Sequence, residues 1–499
     1  MSGLAGIYGK NPNRDELNLM IERIAYRGGA IVNQASAGDR SFILASLSNE
    51  CKTPLCDLGL STSIDLGNAA RIAFDGRIFN RRELQDELAE IDSPKEELDS
   101  ELVLRLYTER GPDCFVMLDG IFALAITDPK RGLVLARDRM GGRPLYTGRQ
   151  SDCTYFASEL KAFSGLLDEY INFPPGYWQQ VGGEMIQFAT TVPEIGEPIN
   201  DLAEATAGVL ELLRAATAKR LRVPGPTGIF LSGGLDSSLL AALVVEQLPG
   251  IDSFAVGVEG SDDLEYARFC AKYLGTKHHE FVYNAQDMAH VVDEVIRVLE
   301  TYDAPLVRSS IPNYFLARLA SGHVNTVLSG EGADELFAGY SYLLGLSSQE
   351  LRREMLSAVT NMNRLGLQRS NRMSSLFGLE VLIPFLDKDL IEFALRINPE
   401  LNFGPEGEEK WVLRTASSAL LPEEVIYRPK QKFSRGAGSA KMMAGVSSAL
   451  IDDIELESER RSEAGNRLRG KEELMYYRIF KRYYPELAAE KTLSFSQGY

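Results

Sequence analysis

Positive charge is what this sequence is shortest of. Lys and Arg total 53 against 70 Asp and Glu, giving a net charge of −17 and a pI near 5.0. A nucleic-acid backbone has to be met by an excess of Lys and Arg on at least one face, so no nucleic-acid partner is expected. Histidine is scarce too, four in all, and the five cysteines (Cys51, Cys56, Cys114, Cys153, Cys270) are odd in number and form no CxxC pair. This argues against a zinc centre and for reduced thiols. No apolar run approaches the roughly 20 residues of a membrane span, and the opening MSGLAGIYGKN has no basic segment followed by an apolar one. A cytoplasmic protein without a membrane partner is expected. The rest of the composition, 44% hydrophobic and 25% charged, is that of an ordinary globular chain. Its 499 residues are enough for two or three domains, each with its own core.

The most informative stretch is Thr227 to Leu240, TGIFLSGGLDSSLL. Ile229 to Leu231 is an apolar run too short for a helix, and it stops at Ser232-Gly233-Gly234, where two glycines let the backbone approach a ligand. A helix starts next, with Ser237 or Ser238 available to cap it. Free N–H groups, a positive helix end and the hydroxyls of Ser232, Ser237 and Ser238 would then converge in a way that suits phosphate. No Lys follows the last glycine, as a Walker loop requires, and there is no GxGxxG turn. Asp236 inside the turn would repel phosphate unless a divalent cation lay between them, so the loop implies Mg2+ as well as pyrophosphate. SGGLDSS resembles the pyrophosphate loop of the ATP-pyrophosphatase enzymes, which split ATP between its α and β phosphates.

Residues 1 to about 190 read as short strands with a few helices between them. Strands are expected at Ala5–Tyr8, Phe42–Leu47, Ala70–Phe74, Ile121–Ile126, Gly132–Ala136 and Cys153–Ala157, and helices at Arg81–Ile91 and Ser100–Glu109. A linker follows at Val192–Asp201, then a helix at Leu202–Leu221. From the loop onward, strands (Ser253–Val258, the segment after Gly275, Val324–Leu328) alternate with helices such as Glu265–Leu274. This predicts a doubly wound parallel sheet with ligands at the C-terminal strand ends. His278 and His279 lie on opposite faces of a strand and cannot both ligate one metal, so a structural role is expected for them. The strand at Val324 runs into Ser329-Gly330-Glu331-Gly332-Ala333-Asp334-Glu335, whose acids would repel one another without cations nearby. Arg428 to Ser434, RPKQKFS, is a basic cluster in an acidic chain, which points to an anionic partner.

Several of these segments resemble the asparagine synthetase family. LDGIFA (118–123), ARDRMGGRPLY (136–146), ASELKA (157–162) and FPPG (173–176) resemble its N-terminal glutaminase domain. SGEGADE (329–335), the Thr301–Asp303 and Val307–Pro312 segments, GLE with IPFLDK (378–388), RPKQKFS and KEELMYYRIFKRYY (471–484) resemble its synthetase domain. The resemblance implies a glutaminase-like Ntn-type layered α/β domain over 1–190 and an ATP-pyrophosphatase domain with a helical C-terminal part over 205–499. A homodimer is compatible with it.

The implied reaction is ATP-dependent adenylation of a carboxylate, by analogy the β-carboxylate of aspartate, and transfer of ammonia to it with release of AMP and pyrophosphate. Asp236 and Asp334 would hold Mg2+ on the phosphates. Ser232, Gly233, Gly234, Ser237, Ser238 and Ser329 would contact them, and Leu231, Val256 and Gly330 would line the nucleotide. Lys430 would stabilise charge growing at phosphorus, Arg308 would grip the acceptor's carboxylate, and Glu331 would either take a proton from ammonia or hold the acceptor's amine. Another carboxylic acid of natural-product biosynthesis is the alternative acceptor, kept open by Leu382, where the family has Arg. A non-catalytic scaffold is disfavoured because the loop, Asp334 and Lys430 are intact.

The glutaminase half departs from its pattern. Ser2 replaces the nucleophilic cysteine, Ser46 the substrate-binding Arg, and Asp75-Gly76-Arg77 the Asn-Gly-Glu triplet, leaving only Gly76 and Asp99 of the glutamine-binding set. Loss of glutaminase activity is the expectation.

Overall fold

The structure is a computed structural model that describes residues 2–37, 40–48, 70–88, 97–128, 130–430 and 433–496; of 29–44 and 46–48 the backbone is described, with the side chain of Ala45. The chain forms two compact units, Met1–Thr191 with Lys481–Leu493, and Val192–Phe480 with Ser494–Tyr499.

The first unit holds two antiparallel sheets. Its strands are β1 (Ser2–Gly9), β2 (Gly29–Ala37), β3 (Arg40–Ser48), β4 (Arg71–Ile78), β5 (Gly120–Asp128), β6 (Gly132–Arg137), β7 (Tyr146–Gln150), β8 (Cys153–Ala157), β9 (Tyr170–Asn172), β10 (Tyr177–Gln180) and β11 (Met185–Gln187). They are ordered β2-β3-β1-β8-β7-β9 in one sheet and β11-β10-β6-β5-β4 in the other. Strand alternation sorts the side chains of β5 into two layers. Ala123 and Ala125 join Leu4 and Tyr8 of β1 and Phe156 of β8 in a core between the sheets. Phe122, Leu124 and Ile126 face the other way, onto Leu102, Val103 and Leu106 of the Asp99–Arg110 helix. A helix-on-sheet-on-sheet stack results, the layered α/β domain expected from sequence. The helix expected at Arg81–Ile91 runs over Arg81–Glu87, and residues 89–91 lie outside the described ones.

The second unit is built on a parallel sheet of β12 (Thr227–Phe230), β13 (Asp252–Gly257), β14 (Lys277–Val282), β15 (Thr326–Leu328) and β16 (Glu380–Leu382), in the order β14-β13-β12-β15-β16. The reversal of strand order at β12 brings the ends of β12 and β15 side by side, where this class of sheet binds ligands. Asp201 caps the Leu202–Arg220 helix by accepting the Glu204 N–H at 2.8 Å. β15 starts two residues later than its apolar pattern suggested, because the Val324 N–H still bonds the Ala320 carbonyl of the preceding helix exit. Among the described residues no helix is long and apolar enough to cross a membrane.

Arg27 anchors the start of β1. It is fully buried, donates to the Ser2 carbonyl at 3.0 Å, pairs with Glu159 and lies 3.5 Å from Asp75. Removing one member of a buried ion cluster strands the others without compensation. Arg27→Met is therefore expected to destabilise the protein by about 3 kcal/mol, read as a lower urea midpoint, with Arg27→Lys recovering part of the loss.

Candidate active site

The loop after β12 is stitched by its own serines. Ser237 Oγ accepts the Ser232 N–H at 3.2 Å and lies 3.0 Å from Ser232 Oγ, while the Gly234 N–H reaches Ser232 Oγ at 3.4 Å. Gly233 has φ +68°, and any side chain there would drive into the Tyr266–Ala267 backbone, so the tight turn requires glycine. The N-cap of the Leu235–Val245 helix is Gly234 with no side-chain cap, where Ser237 or Ser238 was the expected cap. Ser238 corrects the sequence reading further: it is fully buried with its Oγ 3.2 Å from Cys270 Sγ, so two hydroxyls rather than three meet in the loop. Its position one residue past Ser237 turns it by about 100° around the helix, onto the core.

Behind the loop, Arg428 donates to the Ser232 carbonyl at 3.1 Å and to Asp263 at 2.5 Å, with its guanidinium 4.2 Å from the Tyr266 ring centre. Leu231 and Val256 are buried at the ends of neighbouring strands.

The turn after β15 approaches this loop closely: a Cβ on Gly330 would stand 3.2 Å from the Asp236 backbone. Ser329 is fixed by its N–H to the Leu382 carbonyl at 3.0 Å, and its Oγ accepts from the Glu331 N–H at 3.4 Å. Asp236 and Asp334, carried by the two turns, share one cation, the Lys410 ammonium, which pairs with both. Lys430 pairs with Asp334 as well, donates to the Gly339 carbonyl and stands 4.9 Å over the Tyr340 ring.

Burial pushes the Asp236 carboxyl above its ordinary range, with Lys410 opposing. Burial acts on Asp334 in the same sense, but the two ammoniums overcome it and hold that carboxyl well below the usual range. Burial lowers Lys430, whereas Lys410, equally desolvated, is driven upward by its two carboxylates. Glu335, desolvated beside Asp334 and Glu331, is pushed up to about 7 and accepts the Tyr340 hydroxyl at 2.6 Å. Asp236 Oδ1 is buried without a hydrogen-bond partner. Paired carboxylates around a compact cation, one oxygen still unsatisfied, fit a divalent ion ligated by oxygen.

Glu331 turns toward the Gly366–Leu376 helix, where Arg369 pairs with it at 2.5 Å and Ser370 Oγ lies at 3.4 Å. Arg308, on the Ala304–Ser321 helix, is gripped by both oxygens of Glu472 at 3.0 and 2.7 Å. Leu382 is fully buried in β16.

Lys410 and Arg369 escaped the sequence reading, as did the role of Arg428. Lys410 stands alone in a turn with φ +60°, and only the need for a counter-charge to two acids could have suggested it. Arg428 was visible in the basic cluster, but its task behind the loop was not.

In the first unit, Ser2 Oγ donates to Asp75 Oδ1 at 2.8 Å, and Arg143 Nε lies 3.5 Å from the same oxygen. Asp99 accepts the Ile78 N–H at 3.1 Å and is paired with Arg81. The side chain of Ser46 lies outside the described residues.

Comparison with known proteins gives a consistent pattern. The asparagine synthase family model matches residues 208–350 and 344–497, and the glutamine amidotransferase domain model residues 1–175. Asparagine synthetase [glutamine-hydrolyzing] 1 of Arabidopsis thaliana is 34% identical over 450 residues, covering 85% of this chain and 76% of that protein. The probable asparagine synthetase [glutamine-hydrolyzing] of Schizosaccharomyces pombe is 35% identical over 461 residues, covering 85% and 82%. Among solved structures, the glutamine phosphoribosylpyrophosphate amidotransferase of B. subtilis matches at a TM-score of 0.31 and 16% identity, over 71% of this chain and 89% of that one.

Lys410 is the one cation paired with both acids among the described residues. Lys410→Met leaves Asp236 and Asp334 facing each other without their shared ammonium, and pyrophosphate release from ATP is expected to fall by about a hundredfold or more, the scale of a lost charge-assisted pair. Single-turnover pyrophosphate release checks this, with circular dichroism confirming that the fold is retained.

Proposed function

This chain belongs to the asparagine synthetase family and is a C–N ligase, and on that premise we propose that it adenylates the β-carboxylate of aspartate with ATP and passes ammonia to it, giving asparagine, AMP and pyrophosphate. The observation that carries this reading is the convergence of Asp236 and Asp334 on Lys410 beside the serine loop. Carboxylates in the helix starts that follow β12 and β15, the serine loop beside them and a second lysine on Asp334 make a seat for a metal-bound polyphosphate beyond the C-terminal ends of these strands.

In the first step the acceptor's carboxylate oxygen attacks the α-phosphorus and the bond to the β-phosphate bridging oxygen breaks. The Gly233 N–H and the hydroxyls of Ser232 and Ser237 receive the departing pyrophosphate, the Ser232 and Gly234 N–H groups exchanging their bonds to Ser237 and Ser232 for phosphate oxygens, while Lys430 offsets charge gathering at phosphorus. Asp236 and Asp334 would hold Mg2+, which when bound neutralises phosphate charge and draws electrons from the bond that breaks. Lys410 keeps the two carboxylates together while the seat fills. Leu231, Val256 and Gly330 line the nucleotide.

In the second step ammonia adds to the acyl carbon and AMP leaves. Glu331, oriented by Arg369, takes the proton from the incoming nitrogen, and Arg308, its guanidinium plane fixed by Glu472, binds the acceptor's α-carboxylate.

We further propose that ammonia, not glutamine, is the nitrogen source of this chain. Three features support it. Ser2 supplies a hydroxyl far harder to ionise than a thiol. That hydroxyl is spent on Asp75, which cannot donate as the family's Asn would. Asp99, the retained acid of the glutamine set, is paired with Arg81.

Two experiments test these readings. Asp236→Ala is expected to abolish pyrophosphate release with aspartate and with any other acid, and normal release in that variant would remove the assignment of the loop. Ammonium salts should support asparagine formation and glutamine should not. Ser2→Cys is expected to leave glutamate release from glutamine undetected. Glutamate appearing in step with pyrophosphate, and vanishing in Ser2→Ala, would instead make Ser2 a working nucleophile.

A further inference from the structure

Two of the four histidines meet away from the ATP seat: His279, for which the sequence suggested a structural role, and His323. Asp252 opens β13, His279 lies in the middle of β14, and His323 lies in the turn between the Ala304–Ser321 helix and β15. Because β13 and β14 are parallel with Phe254 opposite His279, the side chains of Asp252, Phe254 and His279 share one face of the sheet. The exit of the Ala304–Ser321 helix crosses that face and delivers His323 onto it.

The three side chains are close. His279 Nε2 is 2.6 Å from Asp252 Oδ1, the two imidazole centres are 4.0 Å apart, and one ligand atom from each of the three residues lies within 4.8 Å of the other two. Phe254 backs both rings, at 5.2 and 5.7 Å between centres. Lys277 Nζ, 3.3 Å from Asp252 Oδ1, is the cation already present. The His323 ring has no hydrogen-bond partner among the described residues, although it is pressed against a second imidazole; its outer side is exposed.

We propose that Asp252, His279 and His323 bind one Zn2+-class ion at this edge of the sheet. Two imidazole nitrogens and one carboxylate oxygen are a ligand set that favours zinc over magnesium, and the exposed side of His323 leaves room for water as the fourth ligand. Tetrahedral bonds of about 2.0–2.1 Å place donor atoms about 3.3 Å apart. His279 therefore has to draw back slightly from Asp252, binding as the tautomer with its proton on Nδ1, and the exposed His323 ring has to rotate inward. Both are side-chain adjustments. The bound ion ties the turn entering β15 to β13 and β14. Two of its ligands lie at the start of β13 and the middle of β14 and the third in the turn before β15, whereas the ATP seat lies beyond the ends of β12 and β15.

The test uses the full chain stripped with a chelator and titrated with Zn2+ in the presence of millimolar Mg2+, followed by calorimetry, with Co2+ as a visible-absorption probe of the ligand field. One equivalent is expected to bind with a dissociation constant of about 10 μM or tighter and to raise the thermal midpoint. His323→Ala, which removes an exposed ring, should weaken that binding by about a hundredfold and remove the Co2+ band. Asp236→Ala, at the ATP seat, should leave both unchanged. Equal Zn2+ affinity in His323→Ala and the parent chain, loss of the site in Asp236→Ala, or no stoichiometric binding in the parent would each overturn the proposal.

Discussion

Two carboxylates on the helix starts that follow neighbouring strands are the constraint from which the second unit's chemistry follows. At the effective dielectric of a protein surface, two like charges about 5 Å apart repel by about 3 kcal/mol. The adjacency of β12 and β15 brings Asp236 and Asp334 close enough to pair with one ammonium, so the fold has to supply a cation there. Lys410 does so, and much around it is shaped by that need. Gly339 is bare because a side chain there would strike both Asp334 and Lys410. Lys430 shares the load on Asp334, and Glu335, next in line, has its carboxyl pushed up to about 7 by burial and then by the charges of Asp334 and Glu331. An ammonium that bridges two acids also prepares them for a harder cation, since the oxygens already point at a common centre.

The first unit answers a similar crowding of charge differently. Its buried Arg27, Glu159, Asp75 and Arg143 lie within ion-pair reach of one another, with Ser2 bonded into the set. Charges so arranged stabilise the fold only as a group, because each desolvated member depends on its partners. On the ammonia-dependent reading proposed above, such a set serves the fold rather than a bound zwitterion, and Asp99 is likewise directed to Arg81.

Much of this was legible in the chain. Short apolar runs marked β5, β6 and β8, and the glycine-serine turn announced the loop, because φ +68° at Gly233 and a tight approach to Tyr266 leave few other sequences possible. The acids were legible as well, since three in five residues at a strand end demand cations. Which cations answered them was not legible, for Lys410 is brought in by tertiary packing and has no local pattern. Ser238 misled because hydroxyls in a row look alike in sequence, while a helix turns each by about 100° and buries one of them against Cys270. The meeting of His279 with His323 was invisible for a related reason: one lies in a strand and the other beyond the end of a long helix, so only the packing of helix on sheet brings them together.

The distance along the chain between the partners of the central ion pair has a bearing on synthesis. Lys410 and Asp236 are 174 residues apart, and Lys430 lies 96 residues beyond Asp334. At ribosomal rates of about 5–20 residues per second, the loop acid emerges on the order of ten to thirty seconds before its counter-ion. Through that interval the nascent sheet carries an uncompensated carboxylate at its centre, and after Asp334 emerges it carries two. Closing β15 onto β12 before the lysines arrive would bring the two acids together without a counter-ion, so the edge of β12 is expected to stay open to water, or to a chaperone, for about a third of translation.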